Sequence, residues 1–191
     1  MRRLAVFGYA SLVNRESVTA TLGHSAGEPV AARLSGWRRR WSLVRDNHTA
    51  EKGFAPIGEG EPFDWCLGLN IERAESGDWL NGALIELDDA ALERLRLREL
   101  RYDEVEVTAG VSPARFDRVV AFKAKADNFA AAPPPHSVIL APYLEACEAA
   151  FEALGPGELD AFRATTAPPP VPVVAGRLVR DEVPEGNPRA W

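Results

Sequence analysis

Apolar runs of strand length recur along the chain and are separated by polar, glycine-containing or proline-containing segments. The first run, residues 3–9, ends at turn-prone residues, and Asn14 then stands where an N-cap would begin a helix over residues 15–22. Several later runs carry the β-branched and aromatic residues, or the period-two alternation, that strands prefer. The predicted strands cover residues 3–9, two pieces of 30–44 around Gly36, 65–71, 79–87, 102–108 and 116–123.

Three further helices are predicted. Asp88 or Asp89 caps the first of them, which runs to about Arg101. The second spans about residues 137–154, after a break at the preceding prolines, and the third follows the glycine–proline–glycine stop at 155–157. The apolar stripe that runs from Leu140 to Phe151 in the second helix is predicted to be core packing rather than a cofactor site.

Two segments predict irregular or extended chain. Residues 46–62 are polar and glycine-rich without a clear period, which predicts a long surface loop that can close over a site as a lid. From Ala167 the chain is rich in proline and is predicted to be extended, as an edge strand or along the surface. Because strands come in groups with helices between and after them, the pattern favours one α+β domain of residues 1–191, or a small barrel flanked by helices, over a repeating βαβ sheet.

The composition narrows the possible functions. Of the 191 residues 46% are hydrophobic, and the formal net charge is −6 with a pI near 5.2. This acidic balance predicts no general attraction to nucleic acid or to an anionic membrane, and no apolar segment approaches the roughly 18 residues that a membrane helix needs. Cys66 and Cys147 are far apart and outside any CxxC pattern, so we predict buried, reduced thiols and a cytoplasmic location.

Other chemically suggestive groups lack the spacing that their chemistry requires. The three histidines, His24, His48 and His136, have no metal-ligand spacing, so no metal site is predicted. A hydrolase triad of Ser11, His48 and Asp46 is conceivable only as a spatial accident, because the sequence contains no GxSxG. The arginine run at residues 38–40 is predicted to be a solvated strand face rather than a contact to RNA or phosphate.

One carboxylate falls on the apolar face of the helix predicted near residues 88–102. At roughly 100° per residue, the residues that share one arc are Ala91, Leu92, Leu95, Glu99 and Tyr102. A carboxylate on a buried face is costly unless it is paired or neutral. Burial raises the pKa of a carboxyl group and lets it exchange protons near neutral pH, as general acid/base catalysis requires. The alternative is a helix-end glutamate in which Glu99 simply pairs with Arg96 or Arg98.

The sequence Gly-Tyr-Ala-Ser-Leu at residues 8–12 joins the first strand to the first helix. Such a junction leaves backbone N–H groups free to bind a carboxylate or a developing oxyanion. It is neither a GxGxxG nor a P-loop sequence, so a dinucleotide or nucleotide-phosphate site is excluded. The alternative is an ordinary strand-to-helix turn with Ser11 as a local cap.

Four patches resemble the γ-glutamylcyclotransferase-like family, which includes the ChaC proteins. VFGYASLV at residues 6–13 is similar to the family's VFGYGSL signature, and LSGWRRRWSLV at 34–44 to its second strand region. NGALIELDDAALERLRLRELRYDEVEV at 81–107 resembles the stretch with the catalytic glutamate, and PHSVILAPYLEAC at 135–147 a proline-led helix. The patches occur in the family's order, and that order is more specific than any single patch.

The resemblance implies a small mixed β-barrel flanked by α-helices and an enzyme that converts a γ-glutamyl amide to 5-oxoproline with release of an amine. It implies that Glu99 is the catalytic acid/base and that no cofactor or metal is needed. The implied substrate-binding residues are Tyr9, Ala10, Ser11 and Leu12, which act through backbone N–H groups, and Tyr102. The implied partner is a small γ-glutamyl compound.

The chain departs from the family pattern at several positions. Ala10 replaces a glycine of the turn, which would strain the backbone if this position needs a positive φ. Ile139 stands where the family often has a tyrosine, and the nearest phenol is Tyr143. The spacing between Glu99 and Tyr102 also varies among relatives. Two alternatives therefore stay open: a non-catalytic γ-glutamyl-binding module on the same fold, and an enzyme that acts on a γ-glutamylamine or another amide.

Overall fold

The computed structural model describes residues 3–22, 27–75, 77–183, 185 and 187. Short strands dominate the first two thirds of the chain and helices the last third, so the predicted α+β class is confirmed. The strands within these residues are β1 Leu4–Gly8, β2 Val30–Ser35, β3 Trp37–Asp46, β4 Lys52–Pro56, β5 Trp65–Arg73, β6 Trp79–Leu87, β7 Tyr102–Glu106, β8 Val111–Ser112, β9 Arg118–Ala124, β10 Ser137–Leu140, β11 Val173–Val174 and β12 Gly176–Asp181. The helices are α1 Arg15–Leu22, α2 Asp89–Arg98, α3 Ala141–Leu154 and α4 Glu158–Thr165.

The strands form a curled, mixed half-barrel. A six-stranded sheet has the order β7-β9-β1-β6-β2-β8, and β1 pairs antiparallel with β6 but parallel with β9. A four-stranded sheet has the order β11-β10-β5-β3. The two sheets are tied where the side chain of Asn70 on β5 accepts a hydrogen bond from the backbone N–H of Ala124 on β9, at 2.8 Å. The mixed barrel with flanking helices that the family resemblance implies is therefore the observed architecture.

Two apolar clusters hold the helices against the sheets. The larger one lies between the two sheets and the pair α3–α4, and it contains Phe7, Trp41, Cys147, Phe151 and Phe162. The smaller one lies between the six-stranded sheet and the pair α1–α2. It buries Ala91, Leu92 and Leu95 of α2, so the apolar arc predicted for this helix faces the core as expected. Burial of these side chains is the main force that attaches each helix to the sheet.

The segment at residues 137–154 is the clearest error of the sequence prediction. Its first four residues form the parallel strand β10 and only Ala141–Leu154 are helical. Pro142 lies in the first turn of α3, where a missing backbone N–H costs nothing, so the helix begins at this proline rather than before it. The apolar stripe from Leu140 to Phe151 is core packing, as predicted, at Cys147 and Phe151, which are fully buried. Leu140 and Tyr143 instead line a cavity, so the prediction is wrong for that end of the stripe.

The segment at residues 46–62 is more regular than predicted. It contains β4, which pairs antiparallel with β12 of the proline-rich tail to form a separate two-stranded ribbon. The tail is extended, as predicted, and β11 also joins the four-stranded sheet beside β10. The long-loop prediction is thus wrong for residues 52–56, because a hydrogen-bonding partner more than a hundred residues away gives this part of the chain its strand structure.

The prediction of a solvated strand face for the arginine run at residues 38–40 is wrong for its middle residue: Arg38 is exposed and Arg40 half-buried, but Arg39 is buried. Arg38 and Arg40 lie near Glu72, but Arg39 is only 1% exposed. Its guanidinium lies between the rings of Phe151 and Phe162, at 5.0 and 4.6 Å from their centroids, and burial lowers its pKa to about 9. Aromatic faces and hydrogen-bond acceptors together make burial of an arginine tolerable, so Arg39 fastens α3 and α4 to β3.

Candidate active site

A cavity of about 470 Å³ opens where the half-barrel, the β4–β12 ribbon and the start of α3 meet. Ser11, Glu99 and Tyr102, three of the residues singled out from the sequence, line this one cavity. The turn after β1 contributes Ser11, and the junction between α2 and β7 contributes the other two. Residues that are 88 and 91 positions apart in the chain, Ser11 from Glu99 and from Tyr102, therefore share a site.

Glu99 stands at the end of α2 rather than inside it, where the sequence had placed it. The helix ends at Arg98, and Glu99 is the C-cap residue, whose N–H donates to Leu95. Its carbonyl accepts a hydrogen bond of 3.0 Å from the backbone N–H of Tyr102, so a tight turn sets the two side chains on the same cavity. The carboxylate is 12% exposed, and its Oε1 lies 3.1 Å from Nε of Arg98.

The alternative considered from the sequence, a pair between Glu99 and Arg98, is therefore real. It does not displace Glu99 from the cavity, however, because both residues line it. Arg96, the other suggested partner, instead pairs with Glu93 and Glu104. A carboxyl group that is largely buried, paired with a cation and still open to a cavity is placed to take up and return a proton.

Two tyrosine hydroxyls hold one residue in the wall of the cavity. Tyr102 donates to the carbonyl oxygen of Leu69 at 3.1 Å, and the hydroxyl of Tyr143 accepts from the N–H of Leu69 at 3.3 Å. Burial raises the pKa of Tyr143 well above its usual value, with the neighbouring Cys147 and Tyr102 adding to the effect. Tyr143 is therefore a neutral phenol in the cavity wall at physiological pH.

The turn after β1 is a 3-10 turn, Ser11–Val13, with Ala10 at its N-cap. No side chain in the described part of the chain caps it, and the first N–H groups of such a turn have no partner within the turn itself. Ala10 has φ −145°, so its backbone does not need the positive φ that only glycine adopts easily. Replacing the family's glycine by alanine at this position therefore introduces no strain of that kind.

The other members of the predicted turn site are placed differently. Tyr9 is buried, and its hydroxyl donates to the carbonyl oxygen of Phe122 at 2.5 Å. Burial raises the pKa of Tyr9, and the nearby Tyr102 and the charge on Glu99 raise it further. Leu12 is also buried and packs in the cluster beneath α1 and α2. The side chains of Tyr9, Ala10 and Leu12 do not line the cavity, so only their backbone atoms remain candidates for ligand contact.

The structure also settles the position of the two residues in the proline-led segment. Ile139 is fully buried in the core on β10 and lies outside the cavity lining. Tyr143, one turn into α3, points its hydroxyl to the cavity wall. A proline marks the first turn of a helix, so Pro142 is the sequence signal that separates Tyr143, in the first turn of α3, from Ile139 on the strand before it.

The residues described by the structure form neither the hydrolase triad nor the histidine metal site considered from the sequence. Ser11 lines the cavity, but His48 is exposed and its Nε2 lies 2.8 Å from Asp64. His24 lies outside the described residues. Among those residues, no cluster of three or more histidine, cysteine or acidic side chains has the arrangement of a metal site, and no helix is long and apolar enough to cross a membrane. Cys66 and Cys147 are buried and unbridged, as predicted.

Solved structures with the same arrangement of strands and helices are recognisable despite low identity. A gamma-glutamyl cyclotransferase aligns with a TM-score of 0.59 and 16% identity over 85% of this chain and 88% of its own. The chain has the γ-glutamyl cyclotransferase fold. A yeast gamma-glutamyl cyclotransferase specific to glutathione aligns with a TM-score of 0.53 and 14% identity over 87% of this chain and 98% of its own.

A third structure of this fold is longer than the chain. YkqA from Bacillus subtilis aligns with a TM-score of 0.60 and 19% identity over 90% of this chain, which spans 56% of YkqA. No family model and no curated protein matches the sequence. The γ-glutamyl cyclotransferase fold is thus recognised from the three-dimensional arrangement, and from short sequence patches that occur in the family's order, rather than from overall sequence identity.

Sequence reasoning missed several groups in the cavity. Arg45 of β3 and Lys52 of β4 line it, as does Arg101. Arg101 forms a bidentate pair with Glu51, and Nζ of Lys52 lies 3.3 Å from Asp181. These residues come from strands and loops that are distant in sequence, so no local pattern marks them as members of a common site.

Proposed function

We propose that this protein is a γ-glutamylcyclotransferase, which converts a γ-glutamyl amide to 5-oxoproline and a free amine. The observation that carries the proposal is the meeting of Glu99, Tyr102 and Ser11 at one cavity of about 470 Å³ in a chain with the γ-glutamyl cyclotransferase fold. A cavity of this volume is of the size that small-molecule ligands occupy. The family resemblance of the sequence assigns the same three positions to the site.

The proposed reaction requires little beyond substrate folding and proton movement. Glu99 takes a proton from the α-ammonium group of the substrate, and the free amine attacks the γ-carbonyl carbon. A new C–N bond closes the five-membered ring, and Glu99 returns its proton to the departing nitrogen as the original amide C–N bond breaks. The ring nitrogen gives up its second proton through Glu99 to the amine, which leaves as an ammonium ion. Because the nucleophile belongs to the substrate, holding it near the carbonyl supplies much of the acceleration.

The surrounding groups have matching roles in this proposal. The positive charge of Arg98 stabilises the ionised form of Glu99 before the reaction and is 3.1 Å from it. Backbone N–H groups of the turn at residues 10–12 bind the γ-glutamyl carboxylate or the oxyanion that forms on the carbonyl. Tyr102 and Tyr143 fix the strand that forms the wall behind the substrate.

The experiment is a turnover assay with purified protein, glutathione and a panel of γ-glutamyl amino acids and amines, in which 5-oxoproline is followed by mass spectrometry. Glu99→Gln should lower kcat by about 100- to 10,000-fold, the range for loss of a general acid/base, while ligand binding measured by calorimetry persists. Glu93→Gln is the matched control, since Glu93 lies on the same helix, is exposed and pairs with Arg96. It should retain wild-type turnover.

Three results would separate the alternatives. Undiminished turnover by Glu99→Gln would remove the acid/base role from this residue. Tight binding of γ-glutamyl compounds without product from any of them would identify a non-catalytic binding module. Neither binding nor product would reject γ-glutamyl compounds as ligands altogether.

A further inference from the structure

The cavity is cationic although the protein is acidic. The chain carries a formal net charge of −6, yet the charged side chains that line the cavity in the described part of the chain are Arg45, Lys52, Arg98, Arg101 and Glu99. Three of the four cations have a carboxylate within ion-pair distance. Lys52 lies near Asp181, Arg98 near Glu99, and Arg101 near Glu51. A local excess of positive charge in a concave site favours an anionic ligand.

Arg45 differs from the other three cations. Its guanidinium lies over the ring of Phe54, 4.7 Å from the ring centroid, and beside Cys66, which faces it across the β3–β5 pair. Among residues 3–22, 27–75 and 77–183, no carboxylate lies within 4 Å of it, and the nearby Glu51 is held by Arg101. Burial lowers the pKa of Arg45, with Cys66 and Glu51 opposing the shift.

Removing the charge of an arginine from water is costly unless hydrogen-bond acceptors or an anion face it. The buried Arg39 has such acceptors in Asn81 and Thr166, whereas Arg45 faces the ring of Phe54 and the thiol of Cys66. The planar group of Arg45 matches a carboxylate in a two-point fork, a geometry that neither the ring of Phe54 nor the neutral thiol of Cys66 satisfies. Burial raises the pKa of the Cys66 thiol, so this sulfur does not supply a negative charge near neutral pH. An anionic group on a ligand in the cavity would supply the partner that these neighbours do not.

We propose that Arg45 binds a carboxylate on the departing amine, so that the enzyme acts on γ-glutamyl amino acids and peptides in preference to γ-glutamylamines. This inference rests on the proposed cyclotransferase function, which places the γ-glutamyl end of the substrate at Glu99. The wall formed by β3, β4 and β5 carries Arg45 on the same cavity and receives the other end of the molecule. Arg45 is thus a specificity-determining residue and takes no part in proton transfer.

The test compares two substrates that differ only by the carboxylate in question: γ-glutamylalanine and γ-glutamylethylamine. Wild-type protein should favour γ-glutamylalanine in kcat/KM by about 10- to 100-fold, the range for a charge-assisted bidentate contact. In Arg45→Gln this preference ratio should fall towards one. Arg45→Lys keeps the charge but loses the fork, and an intermediate ratio is expected.

Arg73→Gln is the matched control, because the guanidinium of Arg73 also lies over an aromatic ring, that of Trp37 at 4.3 Å, but away from the cavity. Its preference ratio should equal that of the wild type. A ratio is used because general damage to the fold lowers both rates together and leaves the ratio unchanged. An unchanged ratio in folded Arg45→Gln and Arg45→Lys would overturn the assignment.

The inference and the proposed function fail in different ways. Equal turnover of both substrates by the wild type would overturn the role of Arg45 and leave the cyclotransferase intact. If neither substrate yields 5-oxoproline, the proposed function fails, and calorimetry with the same two compounds decides about Arg45. Tighter binding of γ-glutamylalanine that disappears in Arg45→Gln supports a carboxylate site, and equal or absent binding overturns it.

Discussion

Nε of Arg98 lies 3.1 Å from Oε1 of Glu99, so the last residue of α2 supplies the counter-charge for the carboxylate that follows it. The same guanidinium donates hydrogen bonds to α1. Its NH1 group donates to the carbonyl oxygen of Ser17 at 3.0 Å and to Oγ1 of Thr21 at 2.6 Å, and NH2 donates to Oγ of Ser17 at 2.8 Å. The position of the candidate catalytic carboxylate is thus coupled to the packing of two helices.

Arg98→Lys should damage both stability and turnover. Lysine keeps the charge but cannot bridge Ser17, Thr21 and Glu99 at once, and the hydrogen bonds lost from a buried cation correspond to about 2–4 kcal/mol of unfolding free energy. Urea unfolding measures this loss, and a fall in kcat/KM on any productive γ-glutamyl substrate reports the misplaced carboxylate. Arg96→Lys, an exposed replacement on the same helix, should change the unfolding free energy by less than about 1 kcal/mol. Equal behaviour of the two variants would contradict the coupling.

A second prediction concerns the clamp on Leu69, the pair of hydrogen bonds that Tyr102 and Tyr143 form with its backbone. Tyr143→Phe removes the acceptor of the N–H of Leu69, and a buried backbone donor left without a partner costs about 1–3 kcal/mol. Urea unfolding should therefore show a loss of this size, together with a lower kcat/KM because the wall of the cavity is less firmly held. Wild-type stability in Tyr143→Phe would show that water replaces the phenol and that the clamp has no structural role.

Ala10→Gly addresses the departure of this chain from the family signature. Because φ of Ala10 is −145°, glycine relieves no strain of the positive-φ kind, and its greater freedom in the unfolded chain should lower stability by about 0.5–1 kcal/mol without raising kcat/KM. The glycine that this region requires is Gly82 of β6, where a Cβ would collide with the carbonyl oxygen of Gly8 and the ring of Phe7. Gly82→Ala should therefore destabilise the protein by more than Ala10→Gly does. Higher turnover in Ala10→Gly would show that alanine restrains the turn after all.

Much of the fold could be predicted because its main signals are local. The buried strand before Gly8, the two strands around Gly36 and the apolar arc of α2 each follow from a period of two or 3.6 residues. Errors arose where structure depends on distant partners. The strand β4 exists because β12 pairs with it. The strand β10 is not distinguishable from the helix that follows it, because a short apolar run before a proline fits either structure.

The residues of the candidate site likewise fall into those with a local sequence signal and those without one. Glu99, Tyr102 and Ser11 belong to motifs short enough to be recognised in the sequence, and the structure brings them to one cavity. The charged wall that carries Arg45 has no such motif, since its strands meet only after the chain folds. The burial of Arg39 has no local signal in the sequence for the same reason. The groups that make its burial tolerable, Asn81, Phe162 and Thr166, are more than forty residues away from it.

Glu158, the first residue of α4, gives a prediction about acid stability. Burial opposes the ionised form, but hydrogen bonds from Arg33 and from the amide of Asn81, each 2.8 Å long, hold the pKa of Glu158 below its ordinary value of 4.5. A carboxyl group with a lower pKa in the folded state stabilises that state above the unfolded pKa, and this stabilisation disappears as the pH falls through the folded pKa. The difference in unfolding free energy between the wild type and Glu158→Gln should therefore be largest near neutral pH. It should shrink steadily below about pH 4.5 in urea unfolding measured at a series of pH values. Arg33→Gln removes one of the two donors and should therefore reduce this pH dependence in part. If the difference between wild type and Glu158→Gln stays constant down to pH 3, the role assigned to this ion pair is wrong.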